Sequence, residues 1–224
     1  MSNSSAIAAS LVFLSVIALV LSVLVLRRYR VEGRVCYLYW GLGLFLFFVT
    51  LIEEALLDFG VWSQPLIQSY LVLVAVLVGI LSMGSAEISL STRWRWPYYG
   101  YLGVTSVALA VVGFTTTIST GIMSDGVVSG VPPASIILIS SLITFPAAVL
   151  LIVSALYGVV KYHRLHLLYI AIGTAVISAA GTLYLVSFPA TLYYAEFIGI
   201  LLLFFGFVRI PRLTPGAAEQ PHAA

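Results

Sequence analysis

Charged side chains are scarce in this sequence. Lysine, arginine, aspartate and glutamate together make up 8% of its 224 residues, against about a quarter in a typical soluble domain. Hydrophobic residues account for 62%. This composition excludes a soluble globular protein. The formal net charge of +2 does not indicate a nucleic-acid partner, because the positions of the basic residues follow membrane topology instead.

Cysteine and histidine are also rare. The single cysteine, Cys36, cannot form an internal disulfide, and no cluster of Cys and His has the spacing of a structural zinc site. His163 and His166 are three positions apart, but zinc needs three or four protein ligands, so we interpret them as part of a solvated basic loop. A haem axial pair requires histidines well inside membrane spans, where there are none. We therefore expect no metal and no cofactor.

Apolar stretches of bilayer-crossing length are what the sequence has in abundance. A helix that spans a bilayer needs about 20 apolar residues, and seven stretches fit: 6–26, 37–57, 66–90, 97–117, 134–160, 165–187 and 191–208. The sequence predicts an all-α, polytopic membrane protein, a single bundle of seven transmembrane helices in one domain over residues 1–210. The tail, 211–224, is predicted to be disordered and cytoplasmic.

The basic residues orient this bundle. All ten lie outside the predicted spans and on one side of the membrane: Arg27, Arg28, Arg30, Arg34, Arg93, Arg95, Lys161, Arg164, Arg209 and Arg212. Because cytoplasmic loops carry the excess of Lys and Arg, the pattern predicts that the N-terminus is outside, the C-terminus is cytoplasmic, and the protein is a multi-pass protein of the cell membrane. In the first span the basic residues follow the apolar run, which favours a retained helix over a cleaved signal peptide.

Four glutamates lie within the predicted spans: Glu53, Glu54, Glu87 and Glu196. Intramembrane acids usually face the interior of a bundle, where they are paired, protonated or hydrated. The predicted topology places Glu53, Glu54 and Glu196 at one outer level. Gln68, Tyr70 and Tyr193 share that level, and no basic side chain does. We expect these six residues to line an outward-facing pocket that binds a small cation, a proton or a lipid-like ligand.

Structural interpretations of the same acids stay open. Glu54 and Asp58 are close enough to the predicted interface to reach its surface. Glu53 and Glu54 are consecutive, so they point about 100° apart and cannot both face one neighbouring helix. Glu87 lies at the other end of its span, where Arg93 or Arg95 is within reach of its carboxylate.

Small residues and a proline indicate how the helices pack and bend. Ser15, Ala18 and Ser22 form one small-residue face of the first span, and Thr174, Ser178, Gly181 and Thr182 form another in the sixth. Pro146, inside the fifth span, should kink that helix and free the carbonyl one turn earlier. The connection 119–133 is rich in Gly, Ser and Pro, and is predicted to be an ordered or mobile loop.

The sequence is compatible with three functions. The first is a transporter-like or cation- or proton-binding protein that uses Glu53, Glu54 and Glu196, and it is not an enzyme. The second is a membrane-embedded enzyme that acts on a lipid or isoprenoid through a carboxylic acid. The third is a non-catalytic subunit or sensor that associates with a copy of itself or with another membrane protein through its small-residue faces.

Two resemblances bear on these alternatives. Seven helices with an outside N-terminus resemble the microbial rhodopsins, whose retinal is held by a lysine in the seventh span. Here the one lysine is Lys161, in a loop, which excludes a retinal-bearing rhodopsin. The run IEEALLDF resembles the acidic motif of the small membrane-embedded carotenoid (lycopene) cyclases. Those enzymes have a proline before the acidic pair, where this chain has Leu51 and Ile52.

Overall fold

The chain folds into a bundle of long α-helices. The computed structural model describes residues 2–118, 123–124, 127–128, 132–162, 166–183, 198–203 and 205–206. The helices are α1 (Ser2–Glu32), α2 (Val35–Asp58), α3 (Gln64–Ser89), α4 (Thr92–Thr115), α5 (Ala134–Tyr162) and α6 (His166–Leu183). Residues 198–203 and 205–206 are also helical. We call these last residues the C-terminal helical segment.

Five of these helices are long and apolar enough to cross a bilayer. Their apolar stretches are Leu11–Glu32, Val35–Leu57, Gln64–Ser89, Thr92–Thr115 and Ala134–Lys161. The first helix continues to Glu32, beyond the apolar run predicted to end at 26. The fourth begins at Thr92, well before Pro97, because the Ser91 carbonyl already accepts hydrogen bonds from the backbone of Trp94 and Arg95. Pro97 therefore lies inside the helix and not in its first turn.

The turn between α2 and α3 follows ordinary capping chemistry. Gly60 has φ +80°, a conformation that residues with a Cβ rarely adopt. Ser63 caps α3, since its side chain accepts a hydrogen bond from the Leu66 backbone. Pro65 occupies the first turn of that helix, where a missing N–H costs nothing.

A short antiparallel pair interrupts the long connection between α4 and α5. β1 (Met123–Ser124) pairs with β2 (Val127–Val128), with Met123 opposite Val128. The second strand lies against α2. The connection predicted as a loop therefore reaches back across the bundle to an earlier helix.

The helices pack in an order close to their order in the chain. α1 packs on α2, α2 on α3, α3 on both α4 and α5, and α5 on α6. The C-terminal helical segment joins the core through Leu203, which shares one buried cluster with Ile170 and Ala171 of α6 and with Leu21 of α1. The core thus runs from the first helix to the last described one.

Small residues bring the first three helices close together. Ser15, Ala18 and Ser22 are all buried, and the Ser22 hydroxyl donates a hydrogen bond of 2.8 Å to the Gly41 carbonyl of α2. This confirms the packing face predicted for the first span. Of the second predicted face, Thr174 is buried, while the side chains of Ser178, Gly181 and Thr182 lie outside the described part of the chain.

Pro146 lies inside α5, as the sequence predicts. A proline removes the hydrogen bond to the carbonyl four residues earlier, which here belongs to Leu142. The Tyr101 hydroxyl of α4 donates a hydrogen bond of 2.6 Å to that carbonyl. A neighbouring helix thus satisfies the backbone group that the proline frees.

The contact between α2 and α3 depends on Gly84. A Cβ at this position would lie 2.9 Å from the Cys36 carbonyl oxygen and would also collide with the Trp40 ring. We expect Gly84→Ala to lower the free energy of unfolding by about 1–3 kcal/mol, because inserted atoms force neighbours apart. Reversible unfolding of the detergent-solubilised protein measures this change.

Gly100→Ala is the matched control for this substitution. Gly100 is also inside a helix, but nothing lies within 4 Å of a Cβ placed there. The change should leave stability equal or raise it by up to about 1 kcal/mol, the difference in helix propensity. Equal destabilisation by both substitutions would contradict the close packing of α2 on α3.

Candidate carboxylate site

The last turns of α2 carry two adjacent acids in different surroundings. Glu53 accepts a hydrogen bond from the Ser69 hydroxyl of α3 through Oε1. Its second carboxylate oxygen, Oε2, is buried and has no hydrogen-bond partner. A buried polar group without a partner is costly. Glu53 therefore has one oxygen held in place and one that can take a proton or a cation.

Glu54 points in another direction. Its side chain is only 8% exposed, and the nearby Leu51 and Ala55 pack with Leu11 and Leu14 of α1. This burial does not favour the alternative in which Glu54 reaches out to the membrane surface. The side chain of Asp58 lies outside the described residues.

Ser69 is the residue that the sequence analysis missed. It is one of four serines in α3, so composition gives no reason to select it. The predicted level of Glu53 does include the start of α3, where Ser69 lies. Only the rotation of the two helices about their axes brings its hydroxyl to Glu53. We call Glu53, Glu54 and Ser69 the carboxylate site.

Gln68 and Tyr70 of α3 were predicted to share the pocket of Glu53. In the structure their side chains contact α4 and its neighbours instead. Gln68 is buried, and its Nε2 donates hydrogen bonds to the carbonyls of Thr116, at 2.9 Å, and Phe114, at 3.4 Å. Tyr70 packs against the apolar cluster between α3, α4 and α5. The last carbonyls of a helix have no partner within it, so the Gln68 amide completes the end of α4.

Glu196 and Tyr193, the remaining candidates, lie outside the described residues. Within the described part of the chain, no group of three or more His, Cys, Asp or Glu side chains is placed to hold a metal ion. The geometry of the site therefore rests on α2 and α3.

Glu87, at the opposite end of α3, is fully paired. Its Oε2 lies 2.8 Å from Arg95 Nη1, and its Oε1 accepts a hydrogen bond from the Tyr99 hydroxyl at 2.7 Å. Arg95 also donates to the Leu90 carbonyl through Nε. These contacts join the end of α3 to the start of α4. Glu87 has the structural role that the sequence analysis left open, and Arg95 is the basic residue that pairs with it.

Removing the Gln68 amide tests its hydrogen bonds to the two carbonyls at the end of α4. Gln68→Leu removes the donor and leaves both α4 carbonyls without it. We expect the free energy of unfolding to fall by about 1–2 kcal/mol, the cost of an unsatisfied buried group. Gln64→Leu is the matched control, because Gln64 is exposed on the same helix. A loss of the same size in both variants would argue against the contact.

Comparison with known proteins returns no relative for this arrangement. No protein-family model matches the chain, and neither a curated protein nor a solved structure matches it.

Proposed function

We propose that this protein is a transporter-like membrane protein that binds a small cation or a proton at its carboxylate site, with Glu53 as the principal ligand. The observation that carries the proposal is Glu53 Oε2, a buried carboxylate oxygen without a partner. The next residue along α2, Glu54, is also buried and is the second candidate carboxyl group. Glu196 and Tyr193 complete the pocket from the predicted seventh span.

The chemistry of the site supports an exchangeable ligand. A carboxylate in apolar surroundings is stable when it is protonated or when it holds a cation. The ordered Ser69 hydroxyl fixes Oε1 in one orientation, which leaves Oε2 as the position for the proton or cation. At the far end of α3, the Arg95 guanidinium is already occupied by Glu87. Glu53 therefore differs from Glu87 because one of its carboxylate oxygens is available to bind and release a proton or a cation.

The bundle in this proposal has seven spans with the N-terminus outside and lies in the cell membrane. Five helices of sufficient length and apolarity, together with α6 and the C-terminal helical segment that packs on it, support the count. The distribution of the ten basic residues supports the orientation. In this orientation the carboxylate site lies toward the outer ends of α2 and α3.

The two alternatives receive less support from the geometry. An enzyme that uses an acid on a lipid needs an apolar substrate cleft beside that acid. The central cavity of the bundle is lined by Phe47, about 10 Å along α2 from Glu54 at 1.5 Å per residue. A subunit that associates through the small-residue face of α1 needs that face to be free, and Ser15, Ala18 and Ser22 are buried within the chain.

Substitution of the acids tests the proposal. In liposomes, Glu53→Gln should reduce proton or sodium flux to the level of protein-free vesicles, because the amide can neither exchange a proton nor offer a charged oxygen. Glu54→Gln and Glu196→Gln should reduce it as well. Glu87→Gln is the matched control: its carboxylate is paired with Arg95 and Tyr99, so the flux should persist. Wild-type flux in a folded Glu53→Gln protein would overturn the proposal.

Cysteine labelling tests the topology. In a Cys36→Ser background, an impermeant maleimide added to whole cells should modify Ser4→Cys and Asp125→Cys, because both positions are predicted to be outside. Ser91→Cys and Ala217→Cys should be protected until the cells are opened. Labelling of both Ser4→Cys and Ala217→Cys from outside would contradict seven spans, and the reverse pattern at all four positions would contradict the orientation.

A further inference from the structure

Exposed arginines collect at the end of the bundle that is opposite the carboxylate site. Residues 27–34, where α1 meets α2, and residues 87–95, where α3 meets α4, together hold six arginines and two glutamates. Glu87 is paired with Arg95. Four other guanidinium groups are exposed and have no hydrogen bond or ion pair within the described part of the chain: those of Arg27, Arg30, Arg34 and Arg93. We call these four residues the arginine surface.

Helix packing brings the two stretches to one level of the bundle. The rings of Tyr39 in α2 and Tyr99 in α4 are 5.6 Å apart between centroids. Arg34 precedes Tyr39 by five residues, and Arg93 precedes Tyr99 by six, which is about 8–9 Å along each chain at the helical rise of 1.5 Å per residue. Arg30 is in the last turn of α1, directly before the two-residue turn to α2. The arginines therefore share one end of the bundle.

The depth of this end is that of lipid headgroups. α1 continues to Glu32, six residues past the apolar run that ends at Leu26, or about 9 Å at 1.5 Å per residue. The polar headgroup region on each side of a bilayer is about 5–8 Å thick. The arginines that follow Leu26 are therefore placed among headgroups, where lipid phosphates are the nearest anions.

Two exposed tryptophans flank Arg93. Trp94 is 65% exposed and Trp96 is 73% exposed, and tryptophan is enriched where a membrane meets water, because its ring is apolar and its N–H is polar. A soluble acidic partner would also fit the charge of the arginine surface. The tryptophans favour lipid, since a lipid supplies an apolar boundary for the rings together with an anion for the arginines.

We propose that the arginine surface is a docking surface for anionic phospholipids, which it holds by their phosphate groups and their net negative charge. The planar guanidinium group donates two parallel hydrogen bonds to the oxygens of one phosphate. Each basic residue near an anionic membrane surface strengthens binding about fivefold. The surface makes no contact with Glu53 and lies at one end of the bundle in either orientation. The proposal therefore goes beyond the proposed function and does not depend on it.

Tryptophan fluorescence measures which lipid lies beside the surface. The full-length protein is reconstituted in vesicles of phosphatidylcholine and phosphatidylglycerol, with one or the other lipid brominated as the quencher. In a Trp62→Phe protein, Trp94 and Trp96 report on the arginine surface and should show a preference of at least about fivefold for phosphatidylglycerol, the effect of one basic residue.

The opposite end of the bundle supplies the matched control. In a Trp94→Phe/Trp96→Phe protein, Trp62, in the turn before α3, reports on a level without arginines and should show a ratio near one. Trp40 is buried and contributes the same background to both proteins. An equal preference at the two ends would overturn the proposal.

Substitution of two arginines tests the surface directly. In the Trp62→Phe protein, Arg34→Gln/Arg93→Gln should lower the preference about fivefold or more, toward a ratio of one. Lys161→Gln is the control, because Lys161 is exposed at the same end but its Nζ donates a hydrogen bond of 2.7 Å to the Tyr157 hydroxyl, and the preference should persist. An undiminished preference in the folded double variant, or an equal loss in Lys161→Gln, would overturn the proposal.

Salt gives a measurement that needs no arginine substitution. The Debye length falls from about 10 Å at 0.1 M salt to about 3 Å at 1 M, so the preference at Trp94 and Trp96 should fall as sodium chloride is raised over this range. A preference that does not change with salt would overturn the proposal.

A polyglutamate peptide represents the soluble partner. Its binding to the protein in phosphatidylcholine vesicles should be lost when phosphatidylglycerol is added, because both compete for the same arginines. Binding that phosphatidylglycerol does not displace would assign the surface to a soluble acidic partner and overturn the proposal. Glu53→Gln should leave all these results unchanged, so failure of this surface is distinguishable from failure of the carboxylate site.

Discussion

Hydrocarbon offers no hydrogen bonds, so a polar group in a membrane-spanning chain must find its partner inside the protein. The structure meets this constraint within each helix and, at several points, with side chains from neighbouring helices. Tyr101 donates a hydrogen bond to the carbonyl that Pro146 frees. Gln68 donates to a carbonyl at the end of α4, and Ser22 of α1 donates to a carbonyl of α2. Each contact joins two helices, so the need to satisfy the backbone also determines how the helices pack.

Two glutamates, one near each end of α3, have different roles. Glu87 belongs to α3 itself, and Glu53 belongs to α2 and contacts the start of α3. Glu87 lies within reach of Arg95 and Tyr99, which use both of its oxygens and make it part of the joint between α3 and α4. Glu53 receives one hydroxyl, from Ser69, and its second oxygen remains buried without a partner. An unpaired buried oxygen costs stability, and the proposed binding role of Glu53 rests on this contrast with Glu87.

Close packing and a central void coexist in one bundle. Small residues bring α1, α2 and α3 together at the contact between Ser22 and Gly41 and at Gly84. Around the centre, described side chains from six helical segments converge, and a cavity of about 60 Å³ lies between them.

The amino-acid sequence by itself determined that the chain is helical and apolar enough for a membrane, that Gly60, Ser63 and Pro65 mark a turn, and that the first helix has a close-packing face. Propensity, span length and residue size act locally, so they can be read without a fold. The pairing of Glu53 with Ser69, the burial of Glu54 and the capping role of Gln68 were decided by tertiary structure. Lipid and protein interior are both apolar, so a membrane helix is hydrophobic all round. Its sequence therefore cannot say which face turns inward.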